Sequence, residues 1–331
     1  MKFFKSKQPK QPVVAYTTEP AHALLFTPSA KYREVTKPKQ VGYVLYSPPR
    51  RGHIRLTKQE RLAGYLPGFT PICAEVRNAS LEIIGAGNSR VPGGESLLEI
   101  QSKADARNQT RARRLLEEVK VEVKGSRVRL FNPAHDKNCR CLTEFTIVCP
   151  KERAMKVRGV YSAVRLSDLT GGVDVETTHA RITIMNAGPV VHARVREGII
   201  DYSGDQGSVR LFAGWELNLK FTSQVFQGDV DAEAEGPVRV LIPEGFTSCF
   251  EASVAKDAAF ICRADIESQI THRERAGRVI YRFGQGTAIV RLVSRKGPIV
   301  IDNDAGASEK VETNAFSPPQ QLTSSAAAPA N

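Results

Sequence analysis

The chain has 331 residues, a formal net charge of +12, 41% apolar residues and six cysteines. Thiols this sparse exclude a small disulfide-stapled scaffold, and no apolar run approaches the length of a membrane-spanning helix. The charge is local: residues 1–70 hold thirteen Lys/Arg against three glutamates (Glu19, Glu34, Glu60), while the other 261 residues are near neutral with 34 against 32.

Residues 1–70 also carry eight of the nineteen prolines, including Pro9, Pro12, Pro38, Pro48 and Pro49. A basic, Pro-rich composition opposes an independent core, so this region reads as an N-terminal arm with a short helix at Thr57–Ala63. Such an arm suits contact with an anionic membrane surface or nucleic acid, and also plain solvation. On that reading, deleting residues 1–60 leaves the thermal melt nearly unchanged. The start Lys2-Phe3-Phe4-Lys5 runs straight into Gln8-Pro9-Lys10-Gln11-Pro12 and lacks the apolar core of a secretory leader. The expectation is a cytoplasmic chain on the sequence as given, or an exported one if the start codon is mis-assigned.

From Ile72 onward strand signals follow one another: Cys73–Val76, Ser80–Ile84 and Leu97–Gln101. Lys103–Glu118 reads as a helix, with Ala104, Ala112, Leu115, Leu116 and Val119 on one side and Arg107, Arg111, Arg113 and Arg114 solvated. Strands Val119–Val123 and Val128–Phe131 flank the turn Lys124-Gly125-Ser126-Arg127, a hairpin signal. Residues 132–141 read as a loop, and Phe145–Cys149 as a strand closed by Pro150.

A ladder follows. Val164, Val173, Ile182, Val191, Ile200 and Val209 recur every nine residues, with Leu166, Val175, Ile184, Ala193, Tyr202 and Leu211 two places on. The residues between them, Arg165, Asp174, Thr183, His192, Asp201 and Arg210, are not apolar, which is the period of strands with one buried face. Two architectures fit: an antiparallel meander with neighbours nine apart, or a two-sheet solenoid with neighbours eighteen apart. The long single register favours the solenoid, because hairpin loops vary in length. Solenoid stacking aligns Asp174, His192 and Arg210 in one outward column and Arg165, Thr183 and Asp201 in another. The register slips near Trp215. Further strands follow at Val230–Ala234, Val238–Ile242, Phe250–Val254, Phe260–Cys262, Thr287–Val293 and Pro298–Ile301. Residues 265–277 are polar, and residues 303–331 read as a disordered Ala/Ser/Pro-rich tail. The helix and the last strands are candidate caps for the ends.

Leu169-Thr170-Gly171-Gly172-Val173-Asp174-Val175-Glu176-Thr177, the Gly-punctuated rungs after it, and the closing segment Gly284–Ile301 resemble the bacterial "putative adhesin" family of unknown function. The similarity covers about residues 72–302. It implies a right-handed parallel β-solenoid and brings no catalytic residues. The expected fold is therefore all-β, a two-sheet solenoid with about nine residues per rung over 71–302, one flanking α-helix and disordered tails.

Chemistry is sparse. His135, Cys139, Cys141 and Cys149 offer zinc-ligand types, but Cys139-x-Cys141 is tighter than a zinc knuckle and no second pair follows. Asp229, Asp231, Glu233 and Glu235 share a strand face, without the Gly-rich turns of calcium rolls. No nucleophile elbow or phosphate loop is present, so no cofactor is expected. The expected function is a non-enzymatic scaffold or adhesin-like module that meets a protein or glycan surface. Its candidate contact residues are Asp174, His192, Arg210, Arg165 and Asp201. The alternatives are self-association into filaments like those of bactofilins and a carbohydrate-active β-helix enzyme.

Overall fold

The computed structural model describes residues 13–18, 53–66, 70–87, 96–133, 139–266, 270–287 and 289–304. The expected tail, most of the arm and the loop His135–Asn138 lie outside them. In chain order the elements are β1 (Val13–Thr18), β2 (Ile54–Leu66), β3 (Ile72–Arg77), β4 (Ser80–Ala86) and β5 (Ser96–Ala106). The single helix among the described residues, α1 (Gln109–Glu117), precedes β6 (Lys120–Lys124), β7 (Arg127–Phe131) and β8 (Cys139–Pro150). Then come β9 (Met155–Val160), β10 (Ser162–Ser167), β11 (Val173–Met185), β12 (Val190–Gly204), β13 (Gln206–Ala213) and β14 (Glu216–Phe221). The last are β15 (Gln227–Ala234), β16 (Val238–Ile242), β17 (Cys249–Ala255), β18 (Phe260–Cys262), β19 (Thr271–Arg275), β20 (Arg278–Phe283), β21 (Ile289–Ser294) and β22 (Ile299–Asn303).

These strands form one all-β, open sheet that pairs in two strips. Hydrogen-bonded neighbours along the ladder are parallel and eighteen residues apart: Val173 faces Val191, Val191 faces Val209, and Val164 faces Ile182, which faces Ile200. The antiparallel meander is therefore not formed. Strip one runs β6-β7-β3-β9-β11-β12-β13-β15-β21-β17-β20-β19, using the first halves of β11 and β12. Strip two runs β1-β2-β5-β8-β4-β10-β11-β12-β14-β16-β22-β18, using the second halves. One strand on each strip makes a tier.

Alternation puts two apolar rows per strip into a shared core. In the first row of each, Val173, Val191, Val209, Val230 and Val290 stack on strip one, and Ile182, Ile200, Leu217, Val238 and Ile299 on strip two, all at most 2% exposed. Where the chain crosses between strips, backbone lies on backbone. A Cβ at Gly198 would sit 1.8 Å from the Ala180 carbonyl oxygen, and one at Gly214 1.7 Å from that of Arg196. Near exposed Trp215 the offset becomes seventeen (Ile200 to Leu217) and then twenty-one (Val209 to Val230). The longer connections supply Phe226 and Phe246, which pack on Phe221 with ring centroids 5.3 and 5.1 Å away and fill the widened core.

Both ends depart from chain order. The tier β7/β8 lies outside β3/β4, although it follows it in sequence, because β3 pairs with both β7 and β9, and β4 with both β8 and β10. At the other end β21 inserts between β15 and β17, and β22 between β16 and β18. The last strands are thus not the expected cap. They are held on both sides, and the hairpin β19–β20 closes strip one instead. That hairpin went unforeseen because Thr271–Arg275 is exposed at all five positions and carries no apolar alternation.

Three local expectations are corrected. Thr57–Ala63 is not a helix: it lies within β2, whose Leu56 and Leu62 are buried at 5% and 8% exposure and whose backbone pairs with β5. Lys103–Ala106 continues β5 with Ala104 and Ala106 buried, so α1 starts only after the Asn108 cap, whose side chain accepts a 2.8 Å hydrogen bond from the Arg111 N–H. Cys139–Cys141 belongs to β8, not to a loop. Helix α1 covers β2, β5 and β8 through Ala112, Leu115 and Leu116, forming a small second core with Leu56, Ala104 and Cys141.

Two stability predictions follow from this packing. Deleting residues 1–60 removes Leu56 and half of β2, so we expect a loss of roughly 2 kcal/mol or more in urea unfolding and aggregation through the bared edge of β5. Gly198→Ala is expected to destabilise by roughly 1–3 kcal/mol through its backbone clash. Gly172→Ala, whose added Cβ would meet nothing closer than 3.9 Å, is expected to melt close to the wild type.

Candidate binding surface

The outward side chains of strip one form two columns. Column one reads Lys156, Asp174, His192, Arg210, Asp231, Arg291, Glu251 and Arg282, each facing the next across the strand pairing. Column two reads Glu122, Arg129, Glu75, Arg158, Glu176, Arg194, Phe212 and Glu233. Adjacent parallel strands are about 4.8 Å apart, so like charges would repel and opposite charges meet. Signs alternate along much of these two stretches. Lys156 Nζ lies 3.1 Å from Asp174, Arg129 Nε 3.1 Å from Glu75, Arg158 Nε 3.9 Å from Glu176, and Arg282 pairs with Glu251. Such exposed pairs are each worth about 0–1 kcal/mol.

Alternation lapses at several places: column one continues from Lys156 through Cys73, Arg127 and Lys124, and column two from Glu233 through Val293, Ser253 and Ile280. One lapse lines a groove. On β12 and β13, His192 and Arg210 are neighbours in column one, and Arg194 and Phe212 in column two. The Arg194 guanidinium lies over the Phe212 ring at 5.1 Å instead of meeting a carboxylate. Neither Arg194 nor Arg210 makes an ion pair among the described residues. These four line a shallow groove of about 390 Å³, bordered by Asp174 and Glu176 on one side and Asp231 and Glu233 on the other. A second groove of about 280 Å³ shares Asp174 and His192 and continues to Lys156 and Pro71.

The expected contact residues are thus divided. Asp174, His192 and Arg210 adjoin one another on strip one. Arg165 and Asp201 stand on strip two, with Thr183 between them. There Asp201 accepts from Arg181 Nε at 2.6 Å and from Asn218 Nδ2 at 3.0 Å, and the Arg181 pKa is raised chiefly by that bond. Lys156, Glu176, Arg194, Phe212, Asp231 and Glu233 were not anticipated, although a step of two along the strand or eighteen between tiers reaches Arg194, Glu176 and Phe212 from His192 and Arg210. Asp231 is out of reach of that rule because the register slips between β13 and β15.

The other candidate chemistry disperses. Cys139 and Cys141 lie in the small core beneath α1, whereas Cys149 is in the main core. Burial pushes the Cys141 and Cys149 thiols up to about 12 from 9.0. In the acidic segment, Glu233 and Glu235 pair with Arg295 at 2.5 and 3.1 Å. Among the described residues, no group of three or more His, Cys, Asp or Glu is placed to hold a metal ion. Nor is any helix there long and apolar enough to cross a membrane.

No protein-family model matches the chain, and no curated protein matches it. Among solved structures it is similar to a "putative cell adhesion protein" from Clostridium sporogenes, at 14% identity and TM-score 0.26, over 75% of this chain and 99% of that one. It is similar also to a "putative adhesin" from Bacteroides fragilis, at 13% identity and TM-score 0.26, over 74% and 96%. A third, from Parabacteroides merdae, has 8% identity and TM-score 0.24 over 74% and 96%.

The buried thiols make stability pH-dependent. Their folded pKa values exceed the unfolded one near 9, so their contribution is complete below pH 9 and is lost as pH rises towards 12. We expect the melting temperature to fall from pH 9 to 11, and Ellman's reagent to reach Cys141 and Cys149 only after unfolding. Tyr202 is 2% exposed and its hydroxyl has no hydrogen-bond partner among the described residues. Tyr202→Phe is therefore expected to be neutral or stabilising in urea unfolding, within about 1 kcal/mol.

Proposed function

We propose that this protein is a non-enzymatic, adhesin-like binding module. Residues 71–302 form its right-handed parallel two-sheet β-solenoid, with nine-residue rungs, and strip one carries the contact face. The observation that supports this reading is the face itself: a broad array of outward charges held in fixed register by the backbone pairing of successive tiers. Of the residues that an enzyme reading would gather, Asp174, His192 and Arg210 adjoin on strip one and Asp201 stands on strip two. Filament growth by end-to-end stacking is disfavoured by β19, whose exposed Thr271, His272, Arg273, Glu274 and Arg275 form a charged, hydrophilic edge.

The test is retention of the purified full chain on immobilised cell-surface glycan and protein preparations. Reversing two charges of the face, Lys156→Glu with Arg210→Glu, should cut retention at least about tenfold without changing the melt, and added salt should weaken wild-type retention. Equal retention of wild type and variant on every surface, or glycan hydrolysis by the wild type, sinks the reading.

A further inference from the structure

We infer that the groove across β12 and β13 takes a single acidic sugar unit of a surface glycan, one that carries a carboxylate or a sulfate. The inference rests on the reading of strip one as the contact face and names what that face recognises.

Three features of the groove converge. The first is charge. Arg194 and Arg210 stand on adjacent strands, diagonally across the two columns, where both columns lose alternation within the groove, and neither has an ion-pair partner among the described residues. Several other cations of the face are occupied, Lys156 by Asp174, Arg158 by Glu176, Arg129 by Glu75 and Arg282 by Glu251, while Lys124, Arg127 and Arg291 stand away from the groove. Two guanidinium groups set diagonally on adjacent strands can converge through their long side chains on one oxyanion, which each can hold through paired N–H donors.

The second is the ring. Phe212 is half-buried between the charged residues Arg194 and Glu233 of its column, and Arg194 packs over it. An aromatic face beside two cations offers an apolar platform to the C–H side of a ligand whose anionic group reaches the arginines.

The third is the border. Asp174 and Glu176 on one side and Asp231 and Glu233 on the other confine the cationic patch to two tiers. Those carboxylates repel the neighbouring charges of an extended polyanion, so a nucleic-acid strand lying along the tiers fits poorly. The same oxygens accept hydrogen bonds from hydroxyls. One anionic group, a ring face and hydroxyl donors on both sides describe an acidic saccharide.

The probes are trigalacturonate for a carboxylate, a sulfated trisaccharide for a sulfate, and maltotriose as the neutral control, each titrated into the full chain by calorimetry. At least one acidic probe is expected to bind at least about tenfold more tightly than maltotriose, and the tighter of the two tells carboxylate from sulfate. Arg194→Gln with Arg210→Gln should weaken that binding at least about tenfold. Phe212→Leu should weaken it several-fold, with melts like the wild type. Binding that both variants leave intact, maltotriose binding as tightly as the acidic probes, or no binding of either acidic probe overturns the proposal. If face-reversed protein still loses retention while neither acidic probe binds or competes, the ligand class falls and the binding module stands. If retention is indifferent to face reversal, the module reading itself falls.

Discussion

The structure depends on the parallel backbone pairing between segments eighteen residues apart. Each tier satisfies the N–H and C=O groups of its neighbours, and the pairing fixes which side chains lie above one another. Once Val173 faces Val191, Asp174 must face His192 and Glu176 must face Arg194. The apolar rows and the charged columns are two consequences of one register. The crossing glycines belong to the same constraint: at Gly198 and Gly214 the chain passes so close to the tier before it that there is no room for a Cβ.

A stack of paired strands has ends, and here the ends are managed by topology. The first tier in sequence, β3/β4, and the last, β21/β22, are both interior, each held between two other tiers. Neither can fray without breaking pairing on both sides. The outer positions go to β7/β8, backed by α1 and the antiparallel strands β5 and β2, and to the charged hairpin β19–β20. Pairing of strands far apart in sequence carries a loop-closure cost in folding, so this arrangement exchanges folding speed for protected termini.

Parallel sheets usually have both faces covered, whereas strip one leaves a face in water. Long charged side chains suit such a face because their stems cover the sheet while their heads stay solvated. Sign alternation removes repulsion between neighbours without adding much stability. Against that neutralised background the four residues His192, Arg194, Arg210 and Phe212 differ in kind. The face has uniform geometry, and at these four residues a groove coincides with a departure from alternating charge, which is the ordinary form of a recognition site on a rigid scaffold.

The local period was legible in the sequence. Strand alternation is set by neighbouring residues, so the buried rows through Val173, Val191 and Val209 and the column Asp174–His192–Arg210 can be read from spacing alone. The slip at Trp215 could be seen the same way. The sequence was misleading where local composition and tertiary placement disagree. Thr57–Ala63 has helical residues but lies in a strand, because pairing with β5 and burial of Leu56 and Leu62 outweigh propensity. Thr271–Arg275 has no apolar face and is still a strand, because β20 supplies its hydrogen bonds. The split of Asp201 and Arg165 from Asp174 followed from the spacing. The insertion of β21 between β15 and β17, and the placement of Asp231 and Glu233 beside Arg210 and Phe212, did not. A period records which way each side chain points, whereas the order of tiers depends on contacts between distant segments, and those exist only in the folded chain.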